Sequence, residues 1–285
     1  MDIAADVTPP AVLDIATISK ADRWIDDMLP RFAAFARAHC SGRVRLHLLL
    51  LVADDVADAE AARIEARGRD LFDAVVRDRF VDPEPHRRLA VFDELRAGLP
   101  TKLNLSELLY IDPDTDIVGD LQGIQNLTPD ADVLWVANPL PLRPVLADLE
   151  RHGFGMPADA TAPVVAEPGF LYLRRDLAAE FAALRIRYAD VHGFAPGSTW
   201  WNMLVRSLGP KAARLPDEFN RTFWDLAAAT TSARSVHYTG QWKHLRPFVE
   251  YRRERRQIVL HPCPVPLPGS PAHALPASPP NGHAP

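Results

Sequence analysis

The first half of the chain alternates short apolar runs with longer stretches in which apolar residues recur at helical spacing. Four apolar runs predict β-strands, at residues 11–18, 43–53, 88–92 and 108–111. Three amphipathic stretches predict helices, at residues 20–39, 57–80 and 103–109, and Ser19 is the expected N-cap of the first. The strand at 43–53 ends in a continuous apolar run, which is typical of a central strand covered on both faces. This order predicts an α/β fold with a twisted, mainly parallel sheet flanked by helices.

The second half is less regular but continues the same mixture of elements. We predict strands over 133–137, 164–173 and 234–238, and helices over 141–152, 176–190 and 199–208. No Ser/Gly-rich linker separates the halves, so a single domain of residues 1–261 is expected. Nine of the 24 residues from 262 to 285 are proline, which lacks the N–H donor that helices and sheets use. We therefore expect 262–285 to form a disordered, Pro-rich tail.

Composition narrows the classes of partner and the compartment. A net charge of −5 over 285 residues leaves no basic surplus for binding a nucleic-acid backbone. No apolar run reaches the roughly 20 residues of a transmembrane segment, and acidic residues stand where a signal peptide carries basic ones. Two cysteines, Cys40 and Cys263, provide no disulfide framework, so a cytoplasmic location is expected. The basic segment 252–256 is either a solvated helix end or a peripheral membrane contact with anionic lipid headgroups.

The most informative segment is the apolar run 108–111, which leads directly into several carboxylates. Pro113 disfavours a helical conformation at Asp112, and residues i and i+2 of an extended chain point to the same side. Asp112 and Asp114 are therefore expected to converge beyond the carboxyl end of a strand, where α/β sheets bind ligands. Two neighbouring carboxylates favour a hard divalent cation, Mg²⁺ or Mn²⁺. A polar turn is the alternative, because Asp and Pro are both common turn residues.

This segment resembles the DxD region of glycosyltransferase family 8, which has the pattern LYLDxDxxVxxDL. The match begins at Lys102-Leu103, passes through Asp112-Pro113-Asp114 and ends at Gly119-Asp120-Leu121. About 120 residues later, residues 237–243 read HYTGQWK and match the family's HxxGxxK motif. Two further segments, 167–173 and 215–220, are similar to the family's FNSGVMLI strand and its LPxxyN element. The resemblance spans about residues 11–250.

The resemblance implies a GT-A fold that transfers a sugar from a nucleotide-sugar donor, expected to be UDP-linked, to a hydroxyl acceptor with retention of configuration. The acceptor would be a glycan or a small molecule. Residues from about 11 to 121 would form the nucleotide-binding half, and those from about 122 to 261 the acceptor half. By the same resemblance, Asp112, Asp114 and His237 would hold a divalent ion, usually Mn²⁺.

Donor binding would fall on Lys102, Thr17, Gly240 and Lys243, together with Asp112. The resemblance implies that Lys243 contacts the diphosphate, and Gly240 would let the backbone approach the phosphates closely. A cation and an ammonium beside a leaving diphosphate stabilise its charge where that charge develops. Thr17 stands with Ser19 and Trp24 as a weak substitute for the base contacts of the family.

The chain departs from the family pattern at three places. His244-Leu245 follow the second motif, where the family has Pro-Trp, and the family's Asp-Gln-Asp is replaced by STWWN at 198–202. The uridine-contacting tDxxY near the first strand is absent, and no catalytic residue is assigned. One alternative is therefore a degenerate nucleotide-sugar-binding protein that keeps the metal site without turnover. Another is a phosphatase of the haloacid-dehalogenase type, which also places Asp-x-Asp after an apolar strand.

Overall fold

The structure is a computed structural model of the chain. It describes the following residues: 12–21, 24–81, 85–138, 143–155, 164–188, 196–222, 232–238, 243, 246–247, 249–252 and 257–261. Gly240 and the segment 262–285, which we predict to be a disordered tail, lie outside the described residues. Within the described part of the chain, no helix is both long enough and apolar enough to cross a membrane.

A seven-stranded sheet forms the centre of the molecule. In spatial order its strands are β3 (Ala74–Phe80), β2 (Val44–Ala53), β1 (Leu13–Lys20), β4 (Leu108–Ile111), β7 (Val165–Leu173), β6 (Val133–Asn138) and β8 (Ala212–Arg214). The first four strands run parallel to one another, and β6 and β8 are also parallel. Only β7 is antiparallel to its neighbours, β4 and β6. The predicted α/β class with a mainly parallel sheet is confirmed.

Helices cover both faces of this sheet. They are α1 (Trp24–Asp27), α2 (Leu29–His39), α3 (Asp58–Leu71), α4 (Pro85–Ala97), α5 (Leu99–Leu103), α6 (Arg143–Arg151), α7 (Ala178–Arg187) and α8 (Pro196–Leu208). Along β2, Leu48 and Leu50 belong to a core shared with α2 and α3, whereas Leu49 and Leu51 belong to a core shared with α5 to α8. Successive side chains of a strand point to opposite faces, so a strand buried on both faces must be apolar throughout.

Several predicted boundaries are wrong near the start of the chain. Strand β1 continues to Lys20, so Ser19 lies inside the strand and is not a helix N-cap; its hydroxyl donates to the Lys20 carbonyl at 3.1 Å. The helix predicted over 20–39 is divided into α1 and α2, with Met28 between them. Pro30 lies in the first turn of α2, where its missing N–H costs nothing, and it marks this second helix start.

Two more corrections concern the segment between β2 and β4. The helix predicted over 57–80 ends at Leu71, and its last part is the edge strand β3. The charges of Arg77, Asp78 and Arg79 hide the strand pattern, because within this edge strand only Val75 and Phe80, near its two ends, are buried. The strand predicted over 88–92 lies within helix α4, and the helix predicted over 103–109 is the end of α5 followed by β4.

Two small sheets complete the described structure. One joins β5 (Thr115–Ile117), β10 (Ser235–His237) and β9 (Arg221–Thr222), and the other joins β11 (Val249–Arg252) and β12 (Gln257–Leu260). Strand β5 follows β4 after a short turn and pairs with β10 in antiparallel register, with Thr115 opposite His237. This pairing brings the second sequence motif beside the first.

Candidate functional site

The site begins at the carboxyl end of β4, where the chain leaves the sheet in a tight turn. The Asp112 N–H donates to the Gly169 carbonyl of β7 at 2.9 Å, which extends the ladder by one residue. The Thr115 N–H then donates back to the Asp112 carbonyl at 3.1 Å and closes the turn. Asp112 and Asp114 are therefore anchored by backbone hydrogen bonds on either side of Pro113. As predicted, both carboxylates lie beyond the strand end.

His237 reaches this turn through strand β10. The Tyr238 N–H donates to the Asp114 carbonyl at 3.1 Å, which continues the pairing that began opposite Thr115. His237 Nε2 lies 3.1 Å from Asp114 Oδ1 and 3.7 Å from Asp112 Oδ2. Asp112, Asp114 and His237, here called the Asp-Asp-His cluster, offer three ligand atoms within 4.8 Å of one another. The structure thus brings together the three residues that the two motifs supply.

Gly169 forms one wall of the cluster. A Cβ at this position would stand 2.6 Å from His237 Cε1 and 2.7 Å from Asp112 Oδ2, which is closer than nonbonded atoms approach. Gly169 lies in an irregular part of β7, where the pairing with β6 shifts register between Trp135 and Val136. Only a residue without a side chain allows both ligand groups to pack here.

The charges in and around the cluster shift the pKa values of His237 and Asp114 strongly. Burial alone would lower the pKa of His237, but the carboxylates of Asp114, Glu167 and Asp112 together raise it to about 9. Burial would likewise raise the pKa of Asp114, but His237 and Lys243 hold it well below its usual range. Lys243 Nζ lies 2.6 Å from Asp114 Oδ2. Without a metal ion, a protonated imidazole and an ammonium therefore balance the buried carboxylate.

The residues of the cluster fit a divalent cation. His237 Nδ1 is buried and lacks a hydrogen-bond partner among the described residues, and buried Asp114 Oδ1 faces His237 Nε2 at 3.1 Å. Two carboxylates and one imidazole form a mixed oxygen and nitrogen ligand set, which suits Mn²⁺ and, with the oxygen ligands dominant, Mg²⁺. The ion would replace the proton on His237, because an imidazole ligates only through an unprotonated nitrogen.

Asp112 also interacts with a second group of charged side chains, which lies on α4. Arg96 of α4 donates to Asp112 Oδ1 at 3.0 Å and to buried Asp93 Oδ1 at 2.7 Å, and the Tyr110 hydroxyl also donates to Asp112 Oδ1. Burial raises the pKa of Asp93 well above its usual value, despite the neighbouring Arg96. Sequence reasoning missed Arg96 and Asp93, because they precede the motif by many residues.

Asp116 is the third aspartate of the motif segment, and its carboxylate has a different set of partners. It is fully buried and binds two arginines, Arg31 of α2 at 2.7 Å and Arg246 at 2.7 Å. Arg246 also donates to the carbonyls of Pro113 and Thr115, at 2.7 and 3.1 Å. The buried charge network of Asp116, Arg31 and Arg246 therefore stabilises the turn that carries the cluster.

The other residues predicted to bind the donor do not all lie beside the Asp-Asp-His cluster. Thr17 lies within β1, is fully buried, and has no hydrogen-bond partner for its hydroxyl among the described residues. Lys102 of α5 forms an ion pair with Asp78 of β3 at 2.5 Å. Lys243 lies against the cluster, and Gly240 falls outside the described part. The donor-binding assignments of Thr17, Lys102 and Gly240 stay predictions.

Glu167 is a further residue that sequence reasoning did not assign to the site. Its side chain is buried beside His237, and burial raises its pKa above the ordinary range. The signal that could have identified it is a lone charged residue in the otherwise apolar run from 164 to 173. A charge in a fully buried strand needs partners, which the site supplies.

Comparison with known proteins identifies the fold. Mouse xyloside xylosyltransferase 1 aligns with 80% of this chain and 98% of its own, with a TM-score of 0.55 and 10% identity. The bifunctional glycosyltransferase WbbM aligns with 85% of this chain and 47% of its own, with a TM-score of 0.55 and 12% identity. No protein-family model and no curated protein matches the sequence. The chain therefore has a GT-A-like fold.

Proposed function

We propose that this protein is a metal-dependent glycosyltransferase that moves a sugar from a nucleotide-sugar donor to a hydroxyl acceptor. The observation that carries the proposal is the Asp-Asp-His cluster, which lies at the carboxyl end of a central strand with Lys243 beside it. The GT-A-like fold supports the same reading, since both similar structures are glycosyltransferases by name. Fold alone does not determine function, so the proposal depends on the site.

The chemistry of glycosyl transfer explains why these side chains are needed. As the glycosidic bond to the nucleotide breaks, negative charge grows on the departing diphosphate. A divalent ion held by Asp112, Asp114 and His237 would supply positive charge to the diphosphate oxygens. Lys243 would add a second positive charge, because its ammonium already lies 2.6 Å from a cluster carboxylate. Charges placed before the reaction stabilise the leaving group without reorganising at the moment of transfer.

Finer assignments rest on the resemblance to glycosyltransferase family 8. On that basis we propose UDP as the donor nucleotide, Mn²⁺ as the ion and retention of configuration at the transferred sugar. The structure joins the two motifs at one place, which supports the resemblance on which these assignments rest. The acceptor is a glycan or a small molecule with a free hydroxyl.

The first experiment is a titration of the metal-free protein with Mn²⁺ and with UDP, by calorimetry, followed by donor-hydrolysis assays across nucleotide sugars. We expect UDP binding to need Mn²⁺ and hydrolysis to stop after treatment with EDTA. Asp114→Ala should abolish Mn²⁺-dependent nucleotide binding and turnover together, because the ion loses a charged ligand. His237→Ala should weaken Mn²⁺ binding by less, since an imidazole is the poorer ligand for a hard cation.

Asp130→Asn is the matched control, because Asp130 is exposed on a turn and should behave as wild type. Mn²⁺-dependent UDP binding without turnover on any donor would instead favour the degenerate binding protein. Hydrolysis of aryl phosphates would favour a phosphatase. A protein that binds neither Mn²⁺ nor any nucleotide sugar would refute the proposal.

A further inference from the structure

Glu167 is held rigidly beside the cluster by two hydrogen bonds. Its Oε1 accepts from the Gly169 N–H at 3.1 Å, and its Oε2 accepts from Asn138 Nδ2 at 2.7 Å. Its exposed fraction is only 7%. Between Glu167 and Leu171 the pairing of β7 with β6 shifts register, so the carboxylate is placed by an irregular strand segment that also contains Gly169. Such local irregularities commonly re-aim a side chain next to a site.

This carboxylate faces the nitrogen of His237 that the cluster does not use. His237 Nδ1 lies 4.0 Å from Glu167 Oε1, whereas Nε2 faces Asp114 and Asp112. Nδ1 is buried and lacks a hydrogen-bond partner within the described ranges. The imidazole thus stands between two cluster carboxylates on one side and a third carboxylate on the other.

The requirement for an acceptor at Nδ1 follows from imidazole chemistry. A neutral imidazole carries one proton, so a ring that ligates through Nε2 must keep its proton on Nδ1. A buried N–H without an acceptor is costly, and ligating histidines almost always donate this proton to a carboxylate, a carbonyl or water. Glu167 is the carboxylate that faces Nδ1.

We propose that Glu167 is a positioning residue that holds His237 in the orientation and tautomer in which Nε2 is free to ligate a divalent ion. This inference rests on the metal site of the proposed function and extends it to a residue that contacts no ion itself. Glu167 is the first residue of segment 167–173, but the FNSGVMLI strand to which this segment is similar has no carboxylate, so the resemblance assigns Glu167 no role.

The test measures Mn²⁺ affinity directly, from the free-ion signal in electron paramagnetic resonance, for the wild type, Glu167→Ala and Glu167→Gln. We expect Glu167→Ala to weaken Mn²⁺ binding by roughly 10- to 100-fold, as the loss of an outer-shell partner does. Glu167→Gln should recover part of this loss, since its amide oxygen remains an acceptor that faces Nδ1. Glu60→Ala is the control, because Glu60 is exposed on α3, and it should bind Mn²⁺ as the wild type does.

The second readout is the tautomer of His237 in protein labelled with ¹⁵N-histidine and loaded with Mg²⁺. The wild type should show a slowly exchanging Nδ1–H signal that shifts in Glu167→Gln and is lost in His237→Ala. If Glu167→Ala does not fold, the comparison of the wild type with Glu167→Gln in this experiment still tests the proposal. A signal at Nε2–H, or an Nδ1–H signal that is identical in Glu167→Gln, would overturn the proposal.

The outcomes separate this inference from the function on which it rests. Wild-type protein that binds no Mn²⁺ removes the metal site, and the proposed function fails with the inference. Wild-type affinity in both Glu167 variants overturns the inference alone. Wild-type Mn²⁺ affinity combined with lost turnover would mean that Glu167 acts on the donor or acceptor, which also overturns the positioning role. Equal losses in Glu167→Ala and Glu167→Gln would exclude the hydrogen bond as its cause.

Discussion

Asp116→Asn tests the buried charge network behind the candidate site. The wild-type carboxylate is fully buried and accepts from Arg31 Nε at 3.0 and 3.1 Å, from Arg31 Nη2 at 2.7 Å, and from Arg246 Nε at 2.7 Å. The substitution keeps the shape of the side chain but removes its charge. Two guanidinium groups would then face a neutral amide, so we expect a marked loss of stability.

The magnitude follows from the burial of the two arginines. The side chain of Arg246 is only 2% exposed, whereas that of Arg31 is 21% exposed and can regain water. Removing one partner of a buried ion pair costs about 3–5 kcal/mol, because the other charge is left uncompensated. Arg246 keeps its bonds to the carbonyls of Pro113 and Thr115, which limits the loss to this range. For a chain of this size, Tm should fall on the order of 10 °C.

The assay is urea unfolding of metal-free protein, followed by tryptophan fluorescence and by circular dichroism. Asp130→Asn is the matched control, since it removes an exposed carboxylate and should stay within about 0.5 kcal/mol of the wild type. The double variant Asp116→Asn with Arg246→Met should recover stability relative to Asp116→Asn, because it also removes the stranded charge. If Asp116→Asn is as stable as the control, the buried pairing does not support the turn.

Three further outcomes follow from the geometry of the site. Lys243→Ala should leave Mn²⁺ affinity nearly intact but lower kcat, because the charge of Lys243 matters most as the leaving diphosphate forms. A Mn²⁺ titration measures the first effect, and steady-state kinetics measure the second. Gly169→Ala should weaken Mn²⁺ binding, since its Cβ would stand 2.6 Å from His237 Cε1, and the same titration measures it. Mn²⁺ affinity should rise with pH up to about 9, because the pKa of His237 is raised and the imidazole must lose a proton to ligate the ion. Calorimetry in buffers of different ionisation enthalpy measures the number of protons released on Mn²⁺ binding.

Each of these outcomes has its own control or contrary result. For Gly169→Ala the matched variant is Gly155→Ala, because a Cβ at Gly155 has no atom within 4 Å and should change nothing. Normal turnover in Lys243→Ala would remove this residue from diphosphate binding. Mn²⁺ affinity that is independent of pH between 6.5 and 9 would mean that His237 does not ligate. In the metal-free protein the same raised pKa stabilises the fold below pH 6.5, and this contribution is lost as pH rises through 9.

The local sequence pattern was enough to predict the central strands of the sheet and the two segments that form the Asp-Asp-His cluster. Strands β2, β4 and β7 each contain a continuous apolar run, at 48–52, 108–111 and 170–173, because both of their faces are buried, and such runs are visible in the sequence. Asp112 and Asp114 were identified by their spacing around Pro113, and His237 by its motif. Where a side chain's environment depends on its immediate neighbours, the sequence is sufficient.

Edge strands and helix boundaries were harder to predict. The sequence of strand β3 resembles the end of a helix, because its buried residues, Val75 and Phe80, stand on either side of three consecutive charged residues and show no period of two. The apolar run at 88–92 predicts a strand, but it lies within α4. Short apolar runs do not distinguish a strand from a buried helix turn, and tertiary contacts decide between them.

The sequence by itself determined which residues were candidates for the metal site, and only the tertiary structure decided which of them meet. Strand β5 pairs with β10 across more than a hundred residues and sets Thr115 opposite His237, which closes the Asp-Asp-His cluster. The same folding turns Asp116 away from that cluster toward Arg31 and Arg246, although it belongs to the same acidic segment. The alternation of an extended chain does not separate Asp116 from Asp112 and Asp114, because the partners of each carboxylate are supplied by distant parts of the chain. Electrostatic partners act through space, so their identity is fixed only when the chain has folded.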